Sequence, residues 1–150
     1  MYRIVFVCHG NICRSPAAEY LAKEEIAKRG LTGQIEVVSR ATSLEEIGND
    51  IYPPMKAELR RRGVPFSRHY ASRITTEDYA QADAIYYMDE NNRRYLGRLL
   101  NDSRGICFPI TKYVSEFDEI EDPWYTDRFS YVAEQIKRCV EAILDHVEIK

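Results

Sequence analysis

Ile4-Val5-Phe6-Val7 is an unbroken apolar run in which three of four residues are β-branched, and it predicts a strand covered on both faces in a parallel sheet. From Pro16 the period lengthens. Ala18, Leu21, Ala22 and Ile26 share one helical face, with Pro16 suited to the first turn and Gly30 to the C-terminal cap. Ile35–Val38 predicts a second strand, Pro54–Arg62 a helix stopped by Gly63, and Ala84–Met88 a third strand. An arginine-rich helix is predicted over Glu90–Leu100, a fourth strand over Gly105–Phe108 and an acidic loop over Ser115–Asp127. Val132, Ile136, Cys139, Ile143 and Val147 mark the clearest amphipathic helix, which makes Cys139 a core residue.

Strands alternating with helices over 150 residues predict a single three-layer α/β domain spanning residues 1–150. Its four-stranded parallel sheet has helices on both faces, and ligands in such folds bind where the strands end, near a switch in strand order. The loop after the first strand is therefore the first place to look. Composition adds exclusions: with 45% apolar and 30% charged residues the chain is neither disordered nor collagenous. A net charge of −3 provides no general field for nucleic acid or membrane, and neither is expected as a partner. The opening apolar run is too short for a signal-peptide core or a membrane span, so the expected compartment is the cytoplasm. Cys8, Cys13, Cys107 and Cys139 are then expected as reduced thiols, and without a C-x-x-C pair no metal is expected.

Only one cysteine, Cys8, is followed six residues later by an arginine, Arg14. The pair brackets a loop that directly follows the buried strand, holds Gly10 and Asn11 for unusual backbone angles, and runs into a helix. Such a loop turns successive N–H groups inward as an anion nest while the helix dipole points at the same spot. Those fields, with Arg14, favour thiolate over thiol and make Cys8 a nucleophile aimed at a cradled phosphate. A Walker-type loop is excluded because no Gly-Lys-Ser/Thr follows, and zinc on Cys8, His9 and Cys13 lacks a second ligand pair. Phosphate ester cleavage also needs a proton donor. Asp118, Glu119, Glu121 and Asp122 crowd one loop, where mutual repulsion should raise some of their pKa values; residue types alone leave the choice open.

The segment Val7-Cys8-His9-Gly10-Asn11-Ile12-Cys13-Arg14-Ser15-Pro16 resembles the signature V-C-x-G-N-x-C-R-S-P of the low-molecular-weight protein tyrosine phosphatases at every fixed position. Ser39 with Ala41-Thr42-Ser43, Ile47-Gly48-Asn49, His69, Met88-Asp89-Glu90 and Asp122-Pro123-Trp124-Tyr125 follow in the family's order. The resemblance implies a cofactor-free phosphatase that hydrolyses phosphotyrosine in proteins or peptides through a phosphocysteine and releases phosphate; we expect a monomer. It makes Cys8 the nucleophile, Arg14 the phosphate-binding cation and Asp122 the general acid and base. Residues 9–15 (His9, Gly10, Asn11, Ile12, Cys13, Arg14 and Ser15) would bind phosphate. Asn11, Ser15, Ser39 and His69 would hold the loop in shape, with Asp89 positioning loop or acid. Cys13 would form a reversible disulfide with Cys8 that shields it from overoxidation.

Two departures stand out. Ser72 lies where the family usually has an arginine three residues after His69, with Arg73 one place later. Leu44 and Glu45 replace the glycine and the aromatic that walls the substrate cleft in many relatives, which leaves Trp124 and Tyr125 as the expected wall. Relatives acting on phosphoarginine resemble one another in a Thr at the place of Ile12, so phosphotyrosine is expected over phosphoarginine and over phosphoserine. Protein arginine phosphatase is the alternative. Thiol-dependent arsenate reduction is a more remote one, because Cys107 and Cys139 lie far apart, on a strand and a core helix.

Overall fold

Tyr2–Cys8 (β1) runs through the middle of a four-stranded sheet. Ile35–Ala41 (β2) lies on one side, Ala84–Tyr87 (β3) on the other, and Cys107–Pro109 (β4) closes the edge, giving the order β2-β1-β3-β4 with every pair parallel. The computed structural model describes residues 1–148. Because β1 has β2 on one flank and β3 on the other, the chain leaves its C-terminal end at the point where strand order reverses. The predicted fold class is the observed one.

Alternation along β1 builds two cores. Ile4, Phe6 and Cys8 face α1 (Arg14–Lys28), α2 (Pro53–Arg61) and α6 (Phe129–His146), whose Leu21, Ile26, Met55, Leu59, Ile136 and Cys139 share the cluster. Val5 and Val7 face the other way and pack with Ile74 and Ala82, which flank α3 (Thr76–Gln81), and with Leu96 of α4 (Glu90–Leu99). Each such side chain, fully buried, stabilises the fold by about 1.5–3 kcal/mol. A charge at Phe6, which is 1% exposed, would therefore break the strand that carries the loop.

Boundaries differ from the predicted ones for identifiable reasons. β1 and β2 both extend beyond their apolar runs, since Ser39, Arg40 and Ala41 pair with Phe6, Val7 and Cys8 although two of them are polar. The first helix begins at Arg14, two residues before Pro16, and Gly30 adopts φ +71° just beyond its cap. β4 is a short edge strand that ends on Pro109, a residue tolerated at an edge. α3 was absent from the predicted elements; it is held by a capping box between Thr75 and Asp78 and is too short to show a helical period. The predicted acidic loop contains a one-turn helix, α5 (Pro123–Thr126). Val147 packs against the core just beyond the end of α6.

Asp50 fastens the segment between β2 and α3. Its Oδ1 accepts from the amides of Ile51 at 2.7 Å and His69 at 3.0 Å, and its Oδ2 pairs with Lys56 and with Arg68 at 3.3 Å. Burial opposes the charge, but these donors outweigh it and hold the carboxyl well below the usual carboxylate range. A depressed carboxylate contributes stability that is complete above its unfolded value and fades as pH falls toward the folded one. Asp50→Asn should cost about 1–3 kcal/mol at neutral pH. The deficit should shrink as urea unfolding is repeated toward pH 2; a deficit of the same size throughout would mean that the charge is irrelevant.

Candidate active site

Residues 9–13 link the end of β1 to the start of α1. Asn11 takes φ +60°, a left-handed conformation that asparagine tolerates better than most residues. Among the described residues, the amides of Gly10, Asn11, Ile12, Cys13 and Arg14 donate to no protein acceptor. Five consecutive free donors at a helix N-terminus make a site for an anion.

Arg14, the first residue of α1, is 2% exposed. Its Nη1 donates to Asp89 Oδ2 and to the Ile120 carbonyl, both at 2.8 Å, while its Nη2 lies 3.6 Å from Asp122 Oδ2. Burial alone would weaken its hold on the proton; Cys8, Asp89 and Asp122 more than offset this and raise its pKa. Asp89 also caps α4, its Oδ1 accepting from the Asn92 amide at 2.8 Å, so the guanidinium is aimed by a carboxylate that is itself anchored.

Below the loop lies a chain of buried polar groups. Cys8 Sγ is 3.0 Å from Ser15 Oγ, and Asn11 Nδ2 donates to Ser15 Oγ at 2.8 Å and to Ser39 Oγ at 3.0 Å. His69 Nε2 donates to the Asn11 carbonyl at 2.6 Å, and the Ser72 amide donates to Asn11 Oδ1 at 3.1 Å. The backbone of Ser72 thus serves the loop, while Arg73 is exposed. Ser39 in turn donates to Glu19 Oε1 at 2.7 Å.

Above the loop a cavity of about 160 Å³ is lined by Cys8, His9, Ile12, Cys13 and Arg14 together with Glu45, Glu46, Asp122, Trp124 and Tyr125. Glu45 does not stack as an aromatic would; its Oε2 pairs with His9 Nε2 at 3.0 Å across the rim. Trp124 leans on Tyr52 with ring centroids 4.7 Å apart, and the Tyr52 amide donates to the Ile12 carbonyl at 2.7 Å. Tyr125 and Leu44 are largely exposed, and only the former faces the cavity.

Of the four acids on the neighbouring loop, Asp122 alone lines the cavity. Its Oδ1 caps α5 by accepting from the Trp124 amide at 3.0 Å, leaving Oδ2 toward Arg14. Glu121 is a correction to the expected mutual repulsion: a hydrogen-bonded pair with Arg128 lowers its pKa. Glu119 accepts from the Glu90 amide at 2.6 Å. Arginines and amides, rather than the other acids, surround these carboxylates.

The family model for low molecular weight phosphotyrosine protein phosphatases matches residues 3–150. The chain belongs to this family. The human low molecular weight phosphotyrosine protein phosphatase is 38% identical over 149 residues, covering 95% of this chain and 93% of that protein. The low molecular weight protein-tyrosine-phosphatase YfkJ of Bacillus subtilis is 33% identical over 153 residues, covering 99% and 97%. The crystal structure of YfkJ superposes with a TM-score of 0.93 over 97% of this chain and 93% of that one. A protein tyrosine phosphatase from Entamoeba histolytica, solved with Hepes in its active site, superposes at 0.88 with 26% identity, covering 97% and 96%.

In this member of the low molecular weight phosphatase family, the residues expected to act on phosphate, to wall the cleft or to support the loop fall at the cavity, in the polar chain beneath it or, as Asp89 does, against Arg14, whereas Leu44, Asp118, Glu119 and Glu121 do not line the cavity. Four contributors were not found that way. Tyr52 supports both Ile12 and Trp124, Glu46 lines the rim, Ile120 acts through its carbonyl, and Glu19 sits one helical turn after Ser15. Only Glu19 had a sequence signal, a carboxylate on the helical face that also carries Ser15.

Proposed function

We propose that the chain is a protein-tyrosine phosphatase that works through a phosphocysteine. The observation carrying this reading is that Cys8, Arg14 and Asp122 open onto one small cavity beside five free amides. Phosphate oxygens accept from those amides and from Arg14. Cys8 Sγ bonds to phosphorus as the bond to the leaving oxygen breaks; that oxygen keeps the electron pair of the broken bond and takes a proton from Asp122. Water then attacks phosphorus and gives its proton to the Asp122 carboxylate, and the sulfur departs with its electron pair.

Substrate class follows from the floor and wall. Ile12 and Trp124 offer apolar surface that suits a phenyl ring and gives the guanidinium donors of a phosphoarginine that face it no partner, at a cost of about 1–3 kcal/mol per buried group, while the rim acids Glu45 and Glu46 are engaged by His9 and Asn49. A phosphoserine stem is too short to carry its phosphate past that wall. Peptides bearing phosphotyrosine should be turned over at least about tenfold faster than phosphoarginine or phosphoserine peptides, and Ile12→Thr should narrow the gap to phosphoarginine. Faster cleavage of phosphoarginine by the parent would favour the arginine phosphatase reading instead. Arsenate reduction has no structural support, because Cys107 and Cys139 pack in the two cores on opposite faces of the sheet. Burial pushes both thiols up to about 12, in Cys107 with Asp102 adding to it.

Cys13 has a protective role in the same reading. Burial, then Cys8 and Asp122, push its thiol well above the usual value, which keeps it inert during turnover. Peroxide oxidation of Cys8 to a sulfenic acid removes one of those charges, and condensation with the Cys13 thiol forms a disulfide and releases water. Peroxide inactivation should be reversed by dithiothreitol in the parent and largely irreversible in Cys13→Ser. Equal recovery would remove the role.

A further inference from the structure

We propose that Glu19 is a positioning residue that sets the direction of the hydrogen-bond chain beneath the loop, so that the Ser15 hydroxyl donates to Cys8; this rests on the reading of Cys8 as nucleophile. Glu19 is 8% exposed and lies in no contact with the cavity. A carboxylate has acceptors only, so the one hydroxyl hydrogen of Ser39 must go to Glu19 Oε1, 2.7 Å away. Ser39 Oγ can then only accept from Asn11. The Asn11 amide is held the same way round from its other end, where the Ser72 N–H points at Oδ1. Both hydrogens of Asn11 Nδ2 are thereby committed, one to Ser39 Oγ and one to Ser15 Oγ.

Ser15 Oγ accepts from Asn11 and keeps one hydrogen to give. Two acceptors are in reach, Cys8 Sγ at 3.0 Å and the Arg40 carbonyl at 3.4 Å. The sulfur is nearer, and as a thiolate it makes the stronger, charge-assisted bond. Were the chain to run the other way, with Ser39 donating toward Asn11 and Asn11 turned over, Ser15 would spend its hydrogen on Asn11 and leave the sulfur without it. Glu19 and Ser72 are the two ends that oppose this, and Glu19, which carries a charge, is the stronger of them.

Glutamine at position 19 is nearly isosteric, yet it should reverse the chain. Lys23 Nζ lies 2.5 Å from Glu19 Oε2, so an amide there turns its oxygen to the ammonium and its NH2 to Ser39. The readout is the pH profile of inactivation by iodoacetate, with the labelled cysteine located by peptide mass mapping. In Glu19→Gln the midpoint for Cys8 should move up by about one pH unit, the loss of one charge-assisted bond. Turnover of p-nitrophenyl phosphate should fall because the sulfur becomes a poorer leaving group. Adding Lys23→Met frees the amide to offer its oxygen to Ser39 and should return the midpoint most of the way. A folded Glu19→Gln with the parental midpoint overturns the proposal, as does a shift that Lys23→Met leaves untouched. Should Glu19→Gln fail to fold, Ser39→Ala cuts the same chain and must raise the midpoint; an unchanged midpoint there overturns it equally. Labelling that maps away from Cys8 would instead overturn the nucleophile reading itself.

Discussion

Cys8→Ser should retain the fold and the ability to bind phosphate while losing turnover by a factor on the order of 10⁴ or more. A serine hydroxyl is scarcely ionised at neutral pH, and its hydrogen-bond neighbour Ser15 supplies no base to remove its proton, because Ser15 Oγ has its single hydrogen and a lone pair already committed. The five free amides and Arg14 are untouched by the change, so phosphate should still raise the thermal midpoint of the variant. The decisive comparison is single-turnover release of phosphate from p-nitrophenyl phosphate by parent and variant. Residual turnover within a factor of ten of the parent would mean that another group attacks phosphorus.

Asp122→Asn should discriminate between leaving groups. The amide oxygen can still cap α5 and accept from the Trp124 amide, so the loop keeps its shape while the transferable proton is lost. Phenyl phosphate, whose phenoxide is a poor leaving group, should lose about 10²–10⁴-fold in kcat. p-Nitrophenyl phosphate, which departs readily without a proton, should lose far less. Equal losses for the two esters would move the acid elsewhere, and the crowded loop offers Glu121 only as a carboxylate already pulled down by Arg128.

What was legible in the sequence was whatever one short stretch determines by itself. The run Ile4–Val7 marks the central strand because a strand covered on both faces has no polar positions to interrupt it. The loop after β1 is legible because a thiol, a cation and the backbone that bends between them lie within seven residues. Ser39–Ala41 was not, because a strand end that carries a buried serine into a polar network looks like a loop. α3 and α5 are too short for any period to show, and their capping residues, Thr75 and Asp122, are types common in turns as well. Tyr52 and the Ile120 carbonyl act across long stretches of chain, one through a ring face and an amide and the other through backbone. Contacts of that kind exist only once the sheet has brought the segments together.

In the proposed reading the acid and the aromatic wall are one mechanical part. Asp122 is tied by its own side chain to the amide of Trp124, Trp124 leans on Tyr52, and Tyr52 holds the carbonyl of Ile12 in the phosphate loop. A ring that settles against Trp124 therefore presses on the body that carries the proposed proton donor, and through Tyr52 on the floor beneath it. Alignment of leaving group, acid and cradle is transmitted along a short loop of rigid contacts rather than met by three independent adjustments. On that reading selectivity and timing are built from the same few atoms: a side chain that does not reach the wall leaves the donor unaimed as well as itself unheld.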